Sequence, residues 1–249
     1  MINIKSNTDL EKMKEAGRIT GAALKLAGES VKAGMTTFAL DRIIHDYIVK
    51  CGAKPSFLNY GGFPASACIS INDEVIHGIP SKNKVIHEGD IVSVDVGAYY
   101  KGFHGDSCAT FPIGEVSDEA KDLLKVTEDS LYYAIEKAQV GNRLGDVCHA
   151  VQEYCEGRGY YIVKNYCGHG VGRELHESPE VPNYGKPGHG PKLVAGMVIA
   201  IEPMINVKGE GVRVLQNGWT VVTQSGSLSA HFEHTIAITP DGPVILTAR

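Results

Sequence analysis

The chain has no long apolar run. Its longest uncharged one, Leu193 to Ile201, falls far short of the roughly 20 residues that span a bilayer, which excludes a transmembrane helix. Met1 to Val31 mixes Lys and Glu throughout, without the uninterrupted apolar stretch of a secretory signal peptide. Six cysteines (Cys51, Cys68, Cys108, Cys148, Cys155 and Cys167) form no CxxC pair and no dense framework, so reduced thiols in a soluble, cytoplasmic protein are expected. No basic run offsets the formal net charge of −5, and the pI lies near 6.1. That balance argues against nucleic acid or an anionic membrane as the main partner, and small or neutral substrates fit better. No linker or low-complexity segment divides the 249 residues, so residues 1–249 are expected to form one domain around a substantial core.

Periodicity supplies the elements. Thr8 followed by Glu11 resembles a capping box, and Leu10, Met13, Gly17, Thr20, Leu24, Ala27 and Val31 then recur at alternating three and four residues, predicting a long amphipathic helix. A second helix is predicted over Thr37 to Cys51 with Gly52 as its stop. A third opens at Ser117 and ends near Gly141, and a fourth covers about Leu144 to Cys155. Shifting by 107 residues aligns Gly34 with Gly141, Leu40 with Val147, Ile44 with Val151, Tyr47 with Tyr154 and Gly52 with Gly159. The two helix pairs therefore read as copies, each followed by strand-rich sequence, and an α+β fold with a pseudo-twofold axis and a site between the halves is expected. Strands are predicted at Ala67 to Ile71, Ile91 to Ala98, Phe103 to Phe111, Met197 to Pro203, Thr220 to Thr223 and Phe232 to Thr239. Ser178 to Lys192, rich in Pro and Gly, reads as a surface loop.

Five residues in those strands and Gly-rich loops carry the chemistry: Asp95, Asp106, His169, Glu202 and Glu233. A bare carboxylate in a buried strand costs several kcal/mol or stays protonated, so something must neutralise the four acids. Two divalent cations balance their charge, with a neutral imidazole completing the set. Asp95 and Asp106 flank Tyr99-Tyr100-Lys101-Gly102. With Tyr100 and Lys101 as the loop centre, residues whose numbers sum to 201 face each other, which sets Asp95 opposite Asp106. Cβ atoms so placed stand about 4.5–5.5 Å apart, within reach of metals separated by roughly 3.5–4 Å. His169 lies among glycines in Gly168-His169-Gly170-Val171-Gly172, where backbone can approach a ligand closely. That loop lacks the third glycine of GxGxxG and the lysine of a P-loop, and no HExxH indicates a single-zinc protease.

Cys68-Ile69-Ser70-Ile71-Asn72, His77-Gly78-Ile79-Pro80, Asp95-Val96-Gly97, Gly105-Asp106, Gly168 to Gly172, His176-Glu177, Ile201-Glu202-Pro203 and Phe232-Glu233-His234-Thr235 follow one another over almost the whole length. In these motifs and their order the chain resembles the type I methionine aminopeptidases. The resemblance implies the pita-bread fold, a duplicated α+β unit with a dinuclear site in its central sheet. It implies that Asp95 binds one metal, that His169 and Glu202 bind the other, and that Asp106 and Glu233 bridge both. A metal-activated water would be the nucleophile, and Glu202 the general base or proton shuttle. His77 would sit near the free amine and leaving side, and His176 would donate to the peptide carbonyl.

Tyr60, Phe63, Cys68 and Trp219 match positions lining the family's methionine pocket, where a soft lining suits a thioether. The chain departs from the common bacterial pattern at Phe57, Gly61, Phe63 and Leu175, where Cys, His, Tyr and Phe are frequent. The resemblance implies N-termini of nascent proteins as partners and two divalent ions drawn from Co, Mn, Fe or Zn. It also implies a monovalent cation near Asn72 and Ser229. With no arm before the first helix, the chain is expected to act as a monomer in transient proximity to the ribosome. Prolidases and aminopeptidases P resemble it in all five ligands but carry an additional N-terminal domain.

Overall fold

The computed structural model describes residues 1–249 as four α-helices and fifteen mostly short strands. Helix α1 spans Asn7–Ser30, α2 Thr37–Lys50, α3 Asp118–Lys137 and α4 Leu144–Glu156. The capping box of α1 is Ser6 with Asp9, not Thr8 with Glu11. Ser6 holds extended backbone and accepts from Asp9 N, while its own N–H donates to the Asp9 carboxylate. Thr8 already lies inside the first turn, where its hydroxyl caps nothing. Helix α3 stops short of Gly141 because Asn142 Nδ2 donates to Lys137 O, giving the last carbonyl a partner outside the helix.

The duplication extends well beyond the helices. Thr36 bridges Val85, and Arg143 bridges Lys192, each residue of the second pair lying 107 positions after its counterpart. Gly34 and Gly141, Gly52 and Gly159, and Gly89 and Gly196 all hold positive φ at that same spacing. It also carries the start of the Ile91–Tyr100 strand onto the Val198–Ile201 strand and Asp95 onto Glu202. Both halves thus reach the centre of the molecule with an acid at the same step of the repeat.

Each half contributes one antiparallel sheet. In the first, Ile91–Tyr100 lies between Ala67–Ile71 and Phe103–Pro112, with Lys54–Pro55 at its edge. In the second, the order is Gly242–Ile245, His234–Thr239, Val198–Ile201, Gly168–Gly170, Glu177–Val181. Glu177–Val181 falls inside the stretch read as loop, because three prolines and glycines nearby masked a short strand whose ladder is supplied by Gly168–Gly170. Strands of two or three residues, such as Tyr161–Ile162 and Met204–Asn206, carry no readable alternation. Two small three-stranded sheets complete the fold.

The sheets are stitched where the site lies. Thr235 Oγ1 accepts from Asp106 N at 3.0 Å and donates to Asp106 O at 2.7 Å, and Glu233 N donates to Cys108 O at 2.9 Å. Helices α1 and α2 pack behind the first sheet, and α3 and α4 pack mainly against the small sheet of Ser229–His231, Met204–Asn206 and Tyr161–Ile162. At the α1 contact Gly105 lies directly against Gly17: a Cβ at Gly105 would stand 2.9 Å from the Gly17 backbone and from Thr20 Oγ1. Gly105→Ala must push the helix away from the strand that carries Asp106. Overpacking of this kind costs about 1–3 kcal/mol, so its urea midpoint should fall at unchanged slope.

Candidate metal centre and substrate cavity

The hairpin between the two long strands turns at Lys101 and Gly102, which hold φ of 49° and 88°, so its centre lies one residue later than the sequence reading placed it. Facing residues sum to 203: Gly97 opposes Asp106, and Asp95 opposes Cys108. The register shift is even, so Asp95 and Asp106 keep a common face but lie diagonally rather than opposite. On its other side Asp95 opposes Cys68, which leaves it between two thiols. Glu233 precedes the His234–Thr239 strand, and Glu202 follows Val198–Ile201, ahead of Pro203. His169 is the middle residue of Gly168–Gly170. A Cβ on either of those glycines would collide with a neighbouring carbonyl, Ala200 O or Ser178 O, so only glycine lets this strand slot between its partners and project His169.

All five residues meet at one cavity. His169 Nε2 lies 3.7 Å from Asp106 Oδ2 and 3.6 Å from Glu202 Oε1, and single donor atoms of Asp106, His169 and Glu233 fall within 4.8 Å of one another. His169 Nδ1 donates to Gly170 O at 2.9 Å, which directs the Nε2 lone pair at the carboxylates. Burial holds the imidazole neutral, lowering its pKa to about 3. Asn183 Nδ2 donates to Glu202 O at 2.8 Å and anchors that residue's backbone.

The four acids share one electrostatic problem. Burial is the main cause, and mutual repulsion adds to it: Asp95 is raised to about 7, Glu202 to about 8, and Asp106 and Glu233 well above the usual carboxylate range. Their basic neighbours within 4 Å are histidines that burial keeps neutral, with no Lys or Arg among them. Asp95 Oδ1, Asp106 Oδ1 and Glu233 Oε1 are buried without any hydrogen-bond partner. Orphaned oxygens around an outward-aimed imidazole lone pair form a donor set suited to divalent cations, and the residues fit that role.

The cavity, about 240 Å³, is walled by the apolar cluster of Phe57, Phe63, Cys68 and Leu175, with Trp219 and Tyr60 beside it. Phe63 meets Trp219 edge-on at 5.2 Å. His77 and His176 stand at the same cavity: the His176 ring lies 4.2 Å from that of His169, and its Nδ1 lies 2.7 Å from Tyr60 Oη. His77 holds a left-handed φ of 57°, its ring edge-on to Tyr166 and Trp219. Sequence reasoning assigned no role to His231, which is fully buried with Nε2 3.5 Å from Glu202 Oε2 and otherwise unpartnered. Its signal was available, since His231 precedes Glu233 by two residues, the spacing that returns a side chain to the same face of an extended chain. Tyr166 and Ile76, which also line the cavity, gave no such signal.

These shifts set a stability window. Above about pH 7.5 the histidines are almost wholly neutral in folded and unfolded chain alike, whereas most of the raised carboxyls hold protons that the unfolded chain has lost. Stability of metal-depleted protein should therefore fall as pH rises from 7.5 to 8.5, by about 1.4 kcal/mol per unit for each proton retained. Metal-loaded protein should not show that slope. Thermal midpoints across the window, with and without a chelator, measure both.

Residues 11–240 match metallopeptidase family M24. A methionine aminopeptidase of Clostridium acetobutylicum is 58% identical over 247 residues, covering 99% of either chain, and one of Bacillus subtilis is 49% identical over the same length. The crystal structure of methionine aminopeptidase from Thermotoga maritima superposes with a TM-score of 0.98 at 47% identity, over the full length of both chains. Prolidase from Pyrococcus furiosus superposes at 0.81 with 25% identity, this chain covering 65% of it, so the same pita-bread fold recurs inside a longer protein. Divalent metal use follows from the family and from the cluster of acids. The chain belongs to metallopeptidase family M24, among its methionine aminopeptidases.

Proposed function

We propose that this chain removes the N-terminal methionine from nascent proteins and peptides whose second residue is small, by metal-dependent attack of water on the first peptide bond. The observation that carries the reading is the convergence, at one cavity, of partnerless buried carboxylates, a neutral imidazole and an apolar wall. Asp95, Asp106, His169, Glu202 and Glu233 would hold two divalent ions, Asp106 and Glu233 serving both. Co, Mn, Fe and Zn all suit such a set. When bound, the ions neutralise the acids, lower the pKa of water and polarise the scissile carbonyl.

The remaining work falls to this chain's own side chains. Glu202, whose carboxyl faces the cavity, accepts the proton of the attacking water. Burial lowers the pKa of His176, so its ring is neutral near pH 7. With the Tyr60 hydroxyl donating to Nδ1, the ring proton sits on Nε2, which serves as donor to the carbonyl oxygen as charge develops there. His77, lowered by burial to about 4, is likewise neutral and stands beside the amine and the second residue. Phe63, Cys68, Tyr60 and Trp219 receive the methionine side chain, with Phe57 and Leu175 closing the wall behind them.

No helix is long and apolar enough to cross a membrane. We infer a cytoplasmic enzyme acting as a monomeric single catalytic domain, residues 1–249, meeting N-termini close to the ribosome, with a monovalent cation near Asn72 and Ser229.

Comparing kcat/KM for Met-Ala-Ser, norleucine-Ala-Ser, Leu-Ala-Ser, Met-Leu-Ser and acetyl-Met-Ala-Ser tests the assignment. A hydrophobic pocket separates near-isosteres by about 1–3 kcal/mol, so norleucine should be cleaved somewhat less well, and Met-Leu-Ser and the acetylated peptide should be inert. Equal cleavage of Leu-Ala-Ser and Met-Ala-Ser would point to a broad aminopeptidase instead. Metal stoichiometry tests the ligands: Asp106→Asn and Glu233→Gln should each disturb both ions, whereas Asp95→Asn should mainly weaken one.

A further inference from the structure

The turn that carries His176 is closed around a carboxylate from the residue next to it. Glu177 Oε1 accepts from the backbone N–H groups of Arg173 at 2.9 Å and Glu174 at 3.3 Å. Gly172 packs so closely on that carboxylate that any Cβ there would collide with Oε1. The other oxygen, Oε2, faces the N-terminal segment, where Lys5 Nζ donates to it at 2.6 Å and Asn3 Nδ2 at 3.1 Å. Lys5 and Glu177 side chains are only 5% and 6% exposed. Lys5 also donates from Nζ to Asn3 O at 3.2 Å and from its backbone N–H to Gly196 O at 2.8 Å, beside the strand that leads to Glu202. Gly172 O in turn accepts from His104 N at 2.9 Å, two residues from Asp106.

A buried ion pair gives little net stability, because desolvation offsets its attraction. What it supplies is a single geometry, since either partner alone is left buried and uncompensated. Here the geometry belongs to the turn Gly172–Glu177, which places Leu175 in the apolar wall and the His176 ring 4.2 Å from His169. The ring is then held from one side by Tyr60 and from the other by a backbone that Glu177 folds.

We propose that Lys5, with Asn3, is a positioning residue: through Glu177 the N-terminal segment locks the Gly172–Glu177 turn and so fixes His176 against the reacting carbonyl. The inference rests on the role given to His176 above. Lys5 does not line the cavity, so its effect must pass through the turn, and an effect on kcat through His176, the turn's group at the carbonyl.

Four measurements on the metal-loaded full-length enzyme test this: kcat and KM for Met-Ala-Ser, metal content, and tryptic cleavage after Arg173. Lys5→Met should lower kcat about 10- to 100-fold, less than the roughly 10²–10³ that losing one such donor outright costs, with KM and metal content little changed. Lys5→Arg should restore most of it. In a His176→Ala background, Lys5→Met should lower kcat no further, since a positioning residue cannot act through a missing ring. Cleavage after Arg173, slow while its turn is closed, should accelerate in Lys5→Met and revert in Lys5→Arg. Should Lys5→Met fold poorly, Asn3→Ala removes one bond to Glu177 and should show the same pattern at smaller size. Full kcat in Lys5→Met, or equal factors in the wild-type and His176→Ala backgrounds, would overturn the proposal. If His176→Ala itself kept full kcat, the role of His176 would fall and positioning with it, while the tryptic rate alone would still report the clamp on the turn.

Discussion

Everything at the centre of this molecule answers to one constraint: four carboxyl groups are withdrawn from water around one neutral imidazole, with no Lys or Arg to balance them. Ionised and unpaired, such a group would cost several kcal/mol or more, so without cations the cluster holds its protons up to and beyond neutrality. Divalent ions reverse that preference by rewarding the charged forms. The cost of the site is therefore carried by the surrounding fold until metal binds, and the fold is built to carry it.

It does so with strands rather than loops. Asp95 and Asp106 lie on one continuous hairpin, and Glu233 is tied to that hairpin by paired backbone bonds with Cys108, the adjoining Thr235 hydroxyl bonding both ways to Asp106. Helix α1, pressed so close that only glycine fits at position 105, backs the same strand. The two other cavity histidines are held differently. His77 occupies a left-handed backbone position, and His176 rides on a turn folded around Glu177. Rigid ladders thus hold the groups whose charges must stay close, and local turns hold those that must fit a substrate.

Duplication explains why the acids converge. Helix pair, positive-φ glycines, isolated bridge and central strand recur with one spacing, so Asp95 and Glu202 are the same position of two copies. The regularity ends after that point: the first copy turns at once into a tight hairpin to reach Asp106, whereas the second makes a long excursion through Trp219 before reaching Glu233. That excursion supplies Trp219 to the apolar wall, the rest of which comes from Phe57, Tyr60, Phe63, Cys68 and Leu175.

Much of this was legible in one dimension. Long helices announce themselves by period, the repeat by its glycines, and the five ligands by being acids and an imidazole in strands that otherwise read as buried. The tight hairpin was readable too, but only to within two residues of register, because Lys101 gives no local sign that it will adopt the left-handed turn that glycine takes at 102. What the chain alone determined was which residues had to be neutralised and that Asp95 and Asp106 share a face, since face depends on parity and survives an even shift. Tertiary structure decided the rest: that Cys68 and Cys108 flank Asp95, that His231 reaches Glu202, that Leu175 and Phe57 complete the pocket, and that Lys5 reaches Glu177 across more than half the chain. Those contacts join segments far apart in sequence, and no local pattern encodes a partner that only folding brings near.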